Sequence, residues 1–100
     1  MDDESKNQQE GTPSSYEIDF FGYIASLAFQ AMVFLGDIPS PVTQKVEKNL
    51  SQAKLLIDTL VVLREKTKGN LNEREQQLLD SSIYELQIKY VEQMQGVKKQ

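Results

Sequence analysis

The chain of 100 residues contains no cysteine, no histidine and no tryptophan. Without thiols there is no disulfide and no thiolate nucleophile, and without imidazole there is no Ser-His-Asp or Cys-His machinery. The lack of both excludes a Cys/His zinc site. Proline is scarce: of three, two fall within Ile38-Pro39-Ser40-Pro41, so nothing of this kind interrupts a helix from Val42 onward. Positive charge is in the minority, 11 Lys and Arg against 15 Asp and Glu, net −4. That is the wrong sign for a nucleic-acid binder, whose affinity comes largely from a basic surface. No basic start precedes an apolar run at Met1-Asp2-Asp3-Glu4. That start predicts no secretory signal, and with the absence of cysteine it predicts a cytoplasmic protein.

Charge is unevenly spread. Residues 1–41 carry seven acids and one lysine, residues 42–69 six basic and three acidic groups, and residues 70–100 four basic and five acidic groups. After Met1 no apolar side chain appears until Tyr16. Such a segment buries too little to offset its chain entropy, so residues 1–15 read as a disordered acidic tail. Residues 16–95 read as a single helical domain, and 96–100 as a frayed basic tail.

Three helical patterns follow. The first runs from about Glu17 to Leu35, with Ser15 or Asp19 as candidate cap and Gly36 placed for a left-handed C-terminal stop. From Phe20 to Leu35, 13 of 16 residues are apolar. At 100° per residue one face holds Phe20, Ile24, Leu27, Ala31 and Phe34, and the other Phe21, Ala25, Phe29, Met32 and Val33. A helix apolar all round is buried all round or lies in lipid. The Ile38–Pro41 segment predicts a reversing loop that packs Ile38 and Val42 on the core. The second helix spans about Leu50–Lys68, capped by Asn49 with Gln52 completing a capping box. Its main stripe is Leu50, Ala53, Leu56, Ile57, Leu60, Leu63 and Thr67, and Leu55 with Val62 forms a second. Gly69 predicts a stop, Leu71 a hydrophobic return contact, and Asn72 with Glu75 a capping box for a third helix over about Glu73–Gln95. So short a connection makes an antiparallel hairpin. Leu79, Ile83, Leu86 and Tyr90 repeat at coiled-coil spacing, with Gln93 as the next seam position, while Tyr84, Ile88 and Val91 lie on another face. The expected fold is all-α: an apolar helix, a proline-containing loop and a helical hairpin.

Each helix carries more apolar surface than a lone three-helix bundle of this size hides. Three or four further side chains on helix one are worth about 1.5–3 kcal/mol each when covered. The surplus predicts a homo-oligomeric helical bundle, most simply a two-fold dimer, with Phe21, Gly22, Ala25, Phe29, Met32 and Val33 at the interface. Gln30, beside Ser26, is placed to hydrogen-bond its symmetry mate. The competing destination is a membrane reached through residues 17–35. Sixteen apolar-rich residues span about 24 Å against about 30 Å of hydrocarbon. Asp19 and Asp37 bracket the stretch and no Lys or Arg anchors flank it, so membrane contact is the second reading.

No residue pattern calls for catalysis, cofactor or metal. Asp19, Asp37, Asp58, Asp80, Glu85 and Glu92 read as caps or solvated acids, since a di-metal carboxylate bundle wants Glu-x-x-His pairs. Asp58 and Asp80 are placed to meet Lys54 and Arg64 about the hairpin. Tyr84 and Tyr90 read as core or interface aromatics. Lys66-Thr67-Lys68-Gly69-Asn70 lacks the phosphate-loop spacing and any preceding strand. Lys54, Arg64, Lys66 and Lys68 form the candidate docking face for a protein partner; the plainer reading is a solvated helix face. The chain is thus expected to be a non-enzymatic, self-associating interaction or scaffold module.

A longer string of residues points the same way. It comprises Phe20…Ser26-Leu27-Ala28; Leu35-Gly36-Asp37-Ile38-Pro39; Asn49-Leu50…Ala53-Lys54…Ile57-Asp58…Leu60…Leu63; Lys66-Thr67-Lys68-Gly69-Asn70-Leu71; and Glu75…Leu78-Leu79-Asp80. Together these resemble the small bacterial family filed as domain of unknown function 1844, over about residues 19–92. The resemblance implies a short, cytoplasmic, helical bacterial protein and no assigned catalytic activity.

Overall fold

The computed structural model describes residues 19–98. The expected acidic tail over 1–15 and the alternative cap Ser15 lie outside these residues. Three helices make up the fold: α1 (Phe20–Phe34), α2 (Leu50–Lys66) and α3 (Glu73–Lys98), with no strand among the described residues. The all-α, three-helix expectation is met.

Local chemistry sets most boundaries. Asp19, in an extended conformation, accepts the Gly22 backbone N–H at 2.8 Å and starts α1. At the other end Gly36 sits at φ +84°, its N–H donating to the Val33 carbonyl and that of Asp37 to the Met32 carbonyl, each at 3.0 Å. This pair of bonds is a Schellman stop, which the achiral residue makes accessible. Asn49 caps α2 by accepting the Gln52 N–H. The reciprocal bond expected from Gln52 gives way to another, because the Asn49 N–H donates to the Phe34 carbonyl at 2.8 Å. That bond ties the start of α2 to the end of α1. At the hairpin, Asn70 N–H donates to the Thr67 carbonyl, with Gly69 at φ +85° in the third position of the turn. A type II turn needs a positive φ there. Asn72 and Glu75 then close a complete capping box, with bonds of 2.9 and 2.8 Å. Helix α3 runs on to Lys98, three residues past the expected end.

The core holds Ile24, Leu27, Ala31 and Leu35 from the first arm, Ala53, Ile57 and Leu60 from α2, and Leu79, Ile83 and Leu86 from α3. Each helix turns one 3–4-spaced stripe inward. Helix α1 runs parallel to α3 and is held to it near both ends: Arg74 lies 4.3 Å over the Phe21 ring, and Lys89 pairs with Asp37 at 3.2 Å. Helix α2 runs antiparallel to both. Across the hairpin Lys48 donates to Gln93 at 2.6 Å, so the seam ends on a polar contact where its apolar series stops.

Two expectations are corrected. Val42 is 88 % exposed and takes no part in the core, while Ile38 is half-buried. The Ser40 hydroxyl accepts the Val42 and Thr43 N–H groups, and this turn carries Val42 to the tip of the loop. Val33, assigned to the outward face of α1, is buried. It stands in the last turn of α1, its carbonyl accepting the Gly36 N–H of the Schellman stop, and it is buried outside the main core cluster.

Candidate interaction surfaces

The outward side of α1 presents Gly22, Ala25, Ser26, Phe29 and Gln30 to solvent, with Phe21 and Met32 half-buried on its shoulders. Five of the six expected interface residues therefore border one surface, and Val33 is withdrawn from it. Phe29 is 41 % exposed. Phe21 is already engaged, since Arg74 stacks on its ring and worth of this kind grows with desolvation. Gln30 donates to the Ser26 hydroxyl one turn back at 3.3 Å, so the polar pair is satisfied within the helix.

The four cations expected to share a face do not share one. Lys54 and Lys66 stand twelve positions apart on α2, about 18 Å of helix, and Lys68 lies beyond its end. Lys54 bonds Asp58 one turn on at 2.7 Å. Arg64 reaches Asp80 on α3 at 3.7 Å, and Gln76 also donates to that carboxylate. Arg64 and Lys68 line one open hollow together with Glu65, Gln76 and Asp80. Lys66 lies outside that hollow. Arg64 and Lys66 occupy the last turn of α2, where they complement the helix dipole. The Asp58 carboxylate, by hydrogen bond first and by charge second, holds the Lys54 ammonium above its ordinary value.

The carboxylates singled out in the sequence are dispersed. Asp19 caps α1, Asp37 pairs with Lys89, Asp58 with Lys54 and Asp80 with Arg64. Among the described residues no three or more His, Cys, Asp or Glu side chains stand close enough to hold a metal ion.

The broadest apolar surface lies elsewhere, on the side of the hairpin turned away from α1. Leu55 and Val62 from α2 and Tyr84, Ile88 and Val91 from α3 are all largely exposed there, Tyr84 at 70 %. Three open depressions run into one another across this face. The first is lined by Leu50, Leu55, Tyr90 and Met94, the second by Ile57, Gln87, Tyr90 and Val91, and the third by Tyr84, Ile88 and Val91. Lys54 and Asp58 border the first two. The signal was present in the sequence as the second stripes of both helices. What it lacked was the pairing of α2 with α3 that sets those stripes side by side.

No helix among the described residues is long and apolar enough to cross a membrane. The family model described as domain of unknown function (DUF1844) matches residues 17–92, and the chain belongs to that family. No curated protein and no solved structure shows significant similarity to the chain.

Proposed function

We propose that this member of the DUF1844 family is a non-enzymatic, cytoplasmic helical module that associates with itself and offers a further surface to another protein. One observation carries the reading. All three helices, once packed, still leave large apolar side chains in solvent: Tyr23 and Phe29 on α1, Leu55 and Val62 on α2, and Tyr84, Ile88 and Val91 on α3. Contiguous surfaces of this kind mark association sites in soluble domains. The outward side of α1, with Gly22, Ala25 and Phe29 between Phe21 and Met32, and the outward side of the hairpin are the two faces available. The hollow holding Arg64 and Lys68 is the remaining place for a charged partner contact, and the Asp80 and Glu65 carboxylates inside it moderate its attraction for acids.

Membrane docking through α1 is the second reading. It is disfavoured because α1 carries no Lys or Arg to meet lipid headgroups. Sedimentation equilibrium of the full chain across micromolar concentrations separates the readings. Self-association gives a mass that rises from 11.4 kDa toward twice that value. A fixed mass of 11.4 kDa throughout the range overturns it. Binding to anionic vesicles with no change of mass in their absence would favour the membrane.

A further inference from the structure

We propose that the outward face of the α2–α3 hairpin is the seat of a second copy of this chain, docked about a two-fold axis that crosses the hairpin level with Leu56 and Ile88. The inference rests on the self-association reading above and names the face that performs it.

Three features of the face select a second copy as its occupant. The first is spacing. On α3 the outward residues Tyr84, Ile88 and Val91 stand four and three apart, and Gln95 follows four later. On α2 the series is Ser51, Leu55, Asp58 and Val62, spaced four, three and four. Both are seams of the kind that interlock with another helix. The face therefore presents two parallel tracks that suit a layer of two helices, as an identical hairpin would supply.

The second is charge. The face carries one cation and one anion near its middle, Lys54 and Asp58, bonded to each other and both more than half exposed, with Glu92 at the edge of its third depression. An acidic or basic partner gains little from so balanced a pair. A copy turned end for end does gain. Under the proposed axis α2 lies antiparallel on its mate, so the Lys54 of each copy meets the Asp58 of the other, and two intrahelical pairs become a four-membered ring of alternating sign. Networks of this sort hold more than isolated surface pairs do.

The third is extent. Helix α2 is 17 residues long, so a face two helices wide measures about 20 by 25 Å in projection. With side-chain relief its accessible area approaches the roughly 800 Å² per partner of a stable complex. The single outward stripe of α1 offers about half that width. The same axis brings Ile88 against the Ile88 of the partner and Tyr84 toward the partner's Glu92, and it leaves α1 on the outside of the dimer.

The test exploits the symmetry. Lys54→Glu makes the centre of the face wholly acidic, and Asp58→Lys makes it wholly basic. Both positions are exposed and helical, so circular dichroism serves to show that each variant folds. Light scattering coupled to gel filtration is expected to give a dimeric wild type, each variant alone shifted toward 11.4 kDa, and the dimer restored when the two variants are mixed. Ile88→Glu, which leaves Lys54 and Asp58 in place, is expected to dissociate the wild-type dimer by itself. If the wild type is dimeric, neither variant changes its mass, and Phe29→Glu alone dissociates it, then the α1 face is the interface. This inference then fails while self-association stands. If the wild type itself stays monomeric at every concentration, the broader reading fails first.

Discussion

Leu60 and Leu55 are the same residue on the same helix, five positions apart, and the fold puts them in opposite environments. Leu60 is fully buried where the three helices meet, whereas Leu55 is 59 % exposed. Replacing Leu60 by alanine removes buried methyl groups and leaves a void that neighbours on α1 and α3 fill only in part. The expected loss is about 2–5 kcal/mol, toward the upper end for so enclosed a site. A domain of this size holds about 4–12 kcal/mol in total, so the variant sits near the edge of folding. With a urea slope of about 1 kcal/mol/M its midpoint falls by about 2 M or more. Leu55→Ala is expected to stay within about 0.5 kcal/mol of wild type when measured at submicromolar concentration, where partner copies contribute little. Raising the protein concentration stabilises an associating wild type, and the Leu55 variant then lags behind it. Urea unfolding followed by far-ultraviolet circular dichroism at two concentrations supplies all four numbers. A loss below about 1 kcal/mol for Leu60→Ala, or equal losses for both variants at low concentration, would refute the packing described here.

Gly36→Ala and Gly69→Ala both force a side chain into the left-handed region and are each expected to lower stability by about 1 kcal/mol or more, read from thermal unfolding. Gly36→Ala is expected to cost more, because its new Cβ would lie 3.1 Å from the Lys48 side chain while the space about Gly69 is open. Asn72→Ala is expected to cost about 1 kcal/mol, and the double variant with Glu75→Ala less than the sum of the singles, because the two side chains form one reciprocal box. Lys54 titrates above its ordinary 10.5 owing to Asp58, so nitrogen-detected resonance measurements should show Asp58→Asn returning it toward that value. A raised value in the folded state means the pair's support for folding is whole below pH 10.5 and lost as pH climbs through the raised value, with no loss on acidification through neutrality.

What could be read along the chain was what is decided within a few residues. The Asp19 and Asn49 caps, the left-handed glycines at 36 and 69, and the Asn72–Glu75 box each depend on bonds that span five positions or fewer. The inward stripes follow from helical periodicity alone. Contacts made by the fold stayed hidden. Lys48 meets Gln93 forty-five positions later, and Arg74 finds Phe21 only because α1 lies parallel to α3. The candidate surfaces divide the same way. The outward composition of α1 was legible as a surplus of apolar residues. The larger hairpin face was visible only as two separate narrow stripes, since nothing local says which helix stands beside which. The supposed basic face of α2 dissolved for the converse reason: nearness along the sequence said nothing about angle around the helix or about acids arriving from α3.

The bond from the Asn49 N–H to the Phe34 carbonyl closes the neck of the connection between α1 and α2. Beyond that neck the chain makes its own turn, with Ser40 N–H bonded to the Lys45 carbonyl and Gln44 N–H to the Ser40 carbonyl. The angle between the two helices is therefore set at the base, and the tip is free to change. A dye, an affinity peptide or a longer natural insert spliced between Pro41 and Lys45 should leave both exposed apolar faces where they are, which makes this loop the handle by which the proposed meeting of copies can be marked and watched.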